Sequence, residues 1–280
     1  MTRPNSRYMI SMSGGLASAA SAIIAHEAGL RYEMVFADTL IEAPDLYRFL
    51  DDMGEALGKK VIHLADGRDP WDVFVARRHI GNSRTAHCSE TLKTKQVAAW
   101  MLEHAFYDDP LVLGMYKDEE DRLIRAQRNW NPQEVTSLLI EHSIYPGAAN
   151  ELVAKYGVRR PSLYALGFPH NNCGGMCVRA GQGQFLLLLL TRPDFYLEQE
   201  ARNEWAIAQI AAWTQERIER GVYRGKSGVG GAGGFIRVYR DGETIYMSMR
   251  EFRLAVEGGE IDVDKFDMGG CGCFVDDRAH

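Results

Sequence analysis

Two sets of residues in this chain have the types and spacing to do chemistry. The first is Ser13-Gly14-Gly15-Leu16-Ala17-Ser18, in which serines flank a pair of glycines. Glycine takes backbone angles closed to other residues and lets a ligand approach the main chain, while serine supplies hydroxyl donors. If a helix opens there, its first amides point into the loop with partial positive charge, which suits an anion such as phosphate. A serine-capped β-turn carries the same letters. The stretch matches neither G-x-x-x-x-G-K-[ST] nor G-x-G-x-x-G.

The second set is the cysteines. Four of the five form a C-x₃-C pair, Cys173 and Cys177, and a C-x-C pair, Cys271 and Cys273, each among glycines; Cys88 is the fifth. Thiolates at this density suit a [4Fe–4S] cluster or a Cys₄ zinc site, since glycines let the backbone wrap the metal and offer N–H groups to sulfur. Either would tie the end of the chain to its middle. Buried, unligated thiols are the plain alternative.

The elements that must position these residues follow from apolar runs and breakers. Tyr8-Met9-Ile10 reads as a strand before the glycine turn, Leu16 to Gly29 as an alanine-rich helix ended by glycine, and Tyr32 to Ala37 as a second strand. That strand ends in Asp38-Thr39, with Glu42 and Pro44 beyond and a helix from Asp45 to Leu57. Lys60 to Leu64 is a third strand and Trp71 to Arg78 a short helix. The stretch His87 to Lys93 leads into a helix running to about His104, and Leu111 to Gly114 is a fourth buried strand before the charged run Lys117 to Arg122. Alternating strands and helices predict an α/β fold, a doubly wound, mostly parallel, Rossmann-like sheet, whose carboxyl rim collects ligands.

From Pro132 the texture changes. The spacing predicts a helix from Gln133 to His142, another ending at Tyr156, the loop-rich stretch Pro161 to Cys177, and a long amphipathic helix from Phe195 to Arg220. Gly225 to Gly234 reads as a flexible linker, with a lid or phosphate cradle as the alternative, and Phe235 to Met247 as a hairpin. The expected division is residues 1–130 as a nucleotide-binding core and 131–280 as a helical, glycine-rich region carrying the cysteine site and packed on that core.

Composition limits the function classes. At 280 residues, 46% hydrophobic and 25% charged, the chain can bury a sizeable core. A net charge of -6 argues against a protein that coats nucleic acid non-specifically, though not against a local basic face. The polar start lacks a signal-peptide core, and the longest apolar run, Phe185 to Leu190, is too short to span a bilayer; the expectation is a cytoplasmic protein without a membrane partner. Oligomeric state is left open, a homodimer included.

Taken in order, Ser-Gly-Gly-x-x-Ser, Ala37-Asp38-Thr39 with Glu42 and Pro44, Cys88 with Leu92-Lys93, Gly114 with Glu119 and Arg122, and Pro161-x-Leu163-Tyr164-x-x-Gly167 before Cys173 resemble the phosphoadenylyl-sulfate (PAPS) reductase-like family. That family belongs to the adenine nucleotide α-hydrolase, or PP-loop ATP pyrophosphatase, superfamily. Asn171 to Cys177 and the terminal Cys271-Gly272-Cys273-Phe274 are similar to a subgroup common in phages and bacterial genomic islands.

The resemblance implies an adenine nucleotide, ATP or an adenylyl sulfate, with its phosphates on Ser13, Gly14, Gly15 and Ser18. Asp38 and Thr39 would lie near the adenosine or a Mg²⁺ ion, and Lys93, Glu119 and Arg122 would complete the pocket. Cys88 falls where cluster-bearing sulfonucleotide reductases have a cluster ligand, and Cys173 and Cys177 where they have a cysteine pair. The ligands would then be these three and a terminal cysteine. In the rival assignment the four paired cysteines bind the metal and Cys88 is a nucleophile or sulfur carrier, and a terminal cysteine is the attacking group in PAPS reductases.

Three functions are consistent with this: ATP-dependent sulfur transfer to a nucleotide or nucleic-acid acceptor, sulfonucleotide reduction with release of sulfite, and a non-catalytic nucleotide-binding subunit. The first two would need a sulfur donor or a reductant protein as partner. The chain departs from the superfamily's usual Ser-Gly-Gly-Lys-Asp-Ser, because Leu16 and Ala17 stand in place of the Lys and Asp. Leu40 also replaces a glycine common after Asp-Thr, and Tyr116 stands where an arginine is usual.

Overall fold

The computed structural model describes residues 6–106, 108–222, 233–240, 242–270 and 274. The first half runs β1 (Arg7–Met12), α1 (Leu16–Glu27), β2 (Arg31–Asp38), α2 (Pro44–Ala56), β3 (Val61–Ala65) and α3 (Pro70–Arg77). One continuous helical stretch follows, made of α4 (His87–Ser89), a π-helical turn over Glu90–Thr94 and α5 (Lys95–His104). Then come β4 (Leu111–Val112), α6 (Glu120–Trp130) and β5 (Val135–Thr136).

These strands form one parallel sheet in the order β3-β2-β1-β4-β5. Both faces are covered, so the strands read as nearly continuous apolar runs. Ile10, Met12, Met34 and Phe36 point to the face covered by α1 and α2, and Met9, Val35 and Leu111 to the face covered by α5 and α6. Ala19, Ala20, Ala22 and Ala25 of α1 are fully buried, which lets that helix lie close on the sheet and brings its N-terminus to the carboxyl end of β1. Each fully buried Ile or Phe contributes about 1.5–3 kcal/mol to holding these layers together.

The sheet extends past residue 130, the expected boundary. Val135 and Thr136, expected inside a helix, pair in register with Leu111 and Val112. Their β-branched side chains suit a short edge strand, and only Leu138–Glu141 behind them turns helical, as α7, driving Leu138 and Leu139 into the core beside α1. Next, α8 (Pro146–Lys155) packs along α1 through Ala149 and Val153.

The remaining chain builds a second core. It contains α9 (Ser162–Ala165), α10 (Gln182–Thr191), α11 (Pro193–Glu219), the hairpin β6 (Ile236–Arg240) and β7 (Glu243–Met247), and α12 (Met249–Glu257). Phe185, Tyr196, Ile210, Ile236 and Phe252 meet there with Trp71 and Phe74 of α3, so a helix from the first half is embedded in the second. Trp71 Nε1 donates to Gln199 Oε1 at 2.8 Å, and Arg202 bridges Asp69 and Asp72 at 2.7 and 2.9 Å. Residues 225–232 of the glycine-rich stretch lie outside the described residues. No helix among the described residues is long and apolar enough to cross a membrane.

Candidate functional site

The sheet order reverses between β1 and β4, and ligands of open α/β sheets bind beyond the carboxyl ends of the strands at such a point. A cavity of about 750 Å³ opens there, lined by Ser13 and Gly15 after β1, Ala37 on β2, and Gly114 and Tyr116 after β4. That size accommodates a nucleotide-sized ligand.

Residues 13–18 form a tight turn that holds itself. Ser13 N–H donates to Ser18 Oγ at 3.1 Å, and Ser18 Oγ donates to the Gly15 carbonyl at 2.9 Å. With its proton so used, Ser18 also accepts the Ser13 hydroxyl at 3.2 Å. Gly14 adopts φ +74°, and a Cβ there would stand 2.5 Å from Leu46, so only glycine fits. No side chain within the turn caps α1, and its first turn carries no acid. The first amides of α1 therefore have no acceptor within the helix.

The second half supplies the other wall. The Leu16 N–H donates to Tyr164 Oη at 3.3 Å, and Asn171 Nδ2 donates to the Gly14 carbonyl at 2.7 Å. From β4, Gly114 presses on the start of α1: a Cβ there would lie 2.6 Å from Ser18 N. The loop is thus fixed from three directions, by its own serines, by β4 and by residues 164–171.

Of the residues expected from the sequence, Ser13, Gly15, Lys93, Glu119 and Arg122 line the cavity. Gly14 and Ser18 shape the loop behind it. Lys93 is buried on the π-helical turn, a local bulge of the kind that re-aims a side chain, and its Nζ stands 3.8 Å from Glu42 Oε1. Glu119 Oε2 accepts the Tyr116 N–H at 2.9 Å and Oε1 accepts from Arg122 at 2.7 Å, so the acid holds the turn after β4 and aims the arginine.

Asp38 and Thr39 are engaged outside the cavity lining. The Asp38 carboxylate accepts from Tyr47 Oη at 2.9 Å and from Leu40 N–H at 2.8 Å, while Thr39 Oγ1 donates to Glu42 Oε1 at 2.8 Å. The Tyr47 hydroxyl pKa is raised by burial and by Asp38. Burial likewise pushes the Glu42 carboxyl up, against the pull of Lys93, of the Thr39 hydroxyl and of the Cys173 backbone N–H. Leu40 sits in the left-handed region, φ 61°, where its backbone would favour glycine.

The cysteine turn lies behind this segment. Cys173 and Gly174 are both left-handed, and a Cβ on Gly174 would stand 2.8 Å from the Ile41 carbonyl, so the turn is pressed against the exit of β2. Cys173 is buried, which pushes its thiol pKa up; Lys93 opposes this, while Glu42, Cys177 and Cys88 reinforce it. Gly269 pairs with Ala180 and Gly183 N–H donates to the Asp267 carbonyl at 2.8 Å, which fastens residues 267–269 beside the start of α10. Cys271 and Cys273 lie outside the described residues. Among the described residues no group of three or more His, Cys, Asp and Glu side chains is placed to hold a metal ion. Phe274 packs near Trp130 and lines the cavity.

Arg160, Tyr164, His170 and Asn171 also line or shape the cavity, and none was assigned a role from the sequence. Tyr164 lay within a quoted motif, but nothing local connects it to a loop that precedes it by 148 residues.

The fold and the site define a parallel α/β protein with a glycine turn and a cavity at the switch point of its sheet. The chain belongs to the family of the phosphoadenosine phosphosulfate reductase domain, whose family model matches residues 7–146. Among solved structures it is similar to the crystal structure of phosphoadenylyl-sulfate (PAPS) reductase from Candida auris in a phosphate complex, at 15% identity and a TM-score of 0.44, covering 60% of this chain and 80% of that one. Comparison with curated proteins gave no match.

Proposed function

We propose that the protein is an adenine-nucleotide-dependent enzyme of the sulfur-transfer type, acting on a nucleotide or nucleic-acid acceptor. The observation that carries this reading is the cavity at the α1 N-terminus, lined by Lys93 and Arg122 and by Asn172, which directly precedes Cys173. Polyphosphate sits against the amides and the cations. An acceptor oxygen attacks the α-phosphorus, pyrophosphate leaves, and a sulfur nucleophile then displaces AMP. Lys93 and Arg122 offset the charge that develops on the phosphate oxygens. Membership of the phage and genomic-island subgroup belongs to the same reading, as do Mg²⁺ and a cysteine-held [4Fe–4S] cluster, with zinc as its alternative.

A second reading, sulfonucleotide reduction, is favoured by Phe274, which directly follows Cys271-Gly272-Cys273 in sequence and lines the cavity. The two are separated by their products. Incubation with ATP, a sulfur donor and candidate acceptors should yield AMP and pyrophosphate in the first case. Incubation with an adenylyl sulfate and a thiol reductant should yield sulfite in the second. Absence of pyrophosphate with every acceptor would sink the first.

A further inference from the structure

The loop's lost charge has a replacement in the second half of the chain. Where the superfamily pattern has Lys and Asp, Leu16 is buried in the core and Ala17 lines the cavity, so residues 16 and 17 offer no cation. Among the described residues, the Lys and Arg side chains that line the cavity are Lys93, Arg122 and Arg160. Lys93 faces Glu42 at 3.8 Å and Arg122 faces Glu119 at 2.7 Å, so much of their charge is already balanced. Arg160 differs. Its guanidinium lies 5.2 Å from the centre of the Tyr164 ring, and no carboxylate is within ion-pairing distance of it among the described residues.

Tyr164 itself touches the loop. By accepting the Leu16 N–H, its hydroxyl occupies the first amide of α1 while its ring carries Arg160. The pair is held in place from α2. Asp45 accepts the Ser162 N–H at 2.7 Å and the Arg159 guanidinium at 3.3 Å, on either side of Arg160. Adjacent arginines therefore have different tasks: Arg159 is clamped to an acid outside the cavity, and Arg160 is turned to its wall.

Resting on the nucleotide reading above, we propose that Arg160, stacked on Tyr164, is a phosphate-binding cation of this site alongside Lys93 and Arg122, supplying from the second half positive charge that the loop lacks. A planar guanidinium with its donors unclaimed by an acid can take two phosphate oxygens at once, and stacking on an aromatic ring fixes its plane.

The test is calorimetric titration of the full-length protein with ATP and with adenosine, using R160Q, Y164F and R159Q. R160Q should weaken ATP about tenfold or more while leaving adenosine within about twofold, the pattern expected for loss of one charge-assisted phosphate contact. Y164F should weaken ATP by a smaller factor, and R159Q, which removes the same charge one residue away, should stay within about threefold of the parent because its surface ion pair contributes little. R160K keeps the charge without the fork and should fall between R160Q and the parent. If the parent binds ATP and R160Q binds it equally well, or R159Q is as weak as R160Q, the assignment of Arg160 is overturned while the nucleotide reading stands. If the parent binds neither ATP nor adenosine, the nucleotide reading itself fails.

Discussion

Lys93 and Glu42 meet 3.8 Å apart, Nζ to Oε1, with both side chains withdrawn from solvent. The lysine faces the cavity on one side, and the glutamate adjoins the cysteine turn on the other. The pair links the cavity wall to the cysteine turn.

Removing the lysine strands the acid. Lys93→Met should lower stability by about 3 kcal/mol, the lower end for breaking a buried pair, because Glu42 can take up a proton. Urea unfolding measures this, and the K93M/E42Q double variant should recover more than half of the loss. A single-variant cost near zero would mean that the pair is not formed.

Gly114 is where β4 meets the start of α1. Gly114→Ala would force a Cβ to 2.6 Å from Ser18 N and 2.8 Å from Ala17 C, both backbone atoms that can yield only by moving the helix. The expected cost is about 1–3 kcal/mol by thermal or urea unfolding, with loss of nucleotide affinity. Gly147 also lines the cavity, but a Cβ there meets nothing within 4 Å, so Gly147→Ala should leave stability unchanged or slightly raised.

Asp45 gives the fold a defined response to acid. Its hydrogen bond from Arg48, helped by the Ser162 N–H, lowers its pKa to about 2, against roughly 3.9 in an unfolded chain. A lowered pKa means that the folded state favours the carboxylate, so this stabilisation is complete above about pH 4 and is lost as pH falls towards 2. Because the group is partly exposed, the gap between the parent and Asp45→Asn should be at most about 1 kcal/mol at pH 7. Melting temperatures compared from pH 7 to pH 2.5 should converge; a constant gap would contradict the assignment.

The cysteines call for metal analysis on protein purified without oxygen. A [4Fe–4S] cluster gives about four irons and four acid-labile sulfides per chain, whereas a Cys₄ site gives one zinc. Cys88→Ser distinguishes the ligand sets. Loss of the metal places Cys88 among the ligands, and full retention leaves it to act as a nucleophile.

Four strands of the parallel sheet were legible because each is an apolar run bounded by breakers, and the glycine turn was legible because its letters are local. The helix expected over Gln133 to His142 was misread because Val135 and Thr136 are stabilised by pairing with Leu111 and Val112, which no window of sequence contains. Leu40 is a similar case: its left-handed backbone is one that favours glycine, and the leucine is held there as its N–H donates to the Asp38 carboxylate. The far wall of the cavity was invisible for a topological reason. Tyr164 and Asn171 reach the loop across 148 and 157 residues, and the orientation of Arg160 depends on Asp45, a residue that reads as an ordinary first-turn acid.

The matched family region ends at residue 146, before every one of those far-wall contacts. Cutting the chain there would keep the signature and the sheet but leave the loop braced on only two of its three sides. Selection for a different ligand could therefore act on residues 159–171 alone, so that two proteins sharing the same loop letters would part company in what they accept.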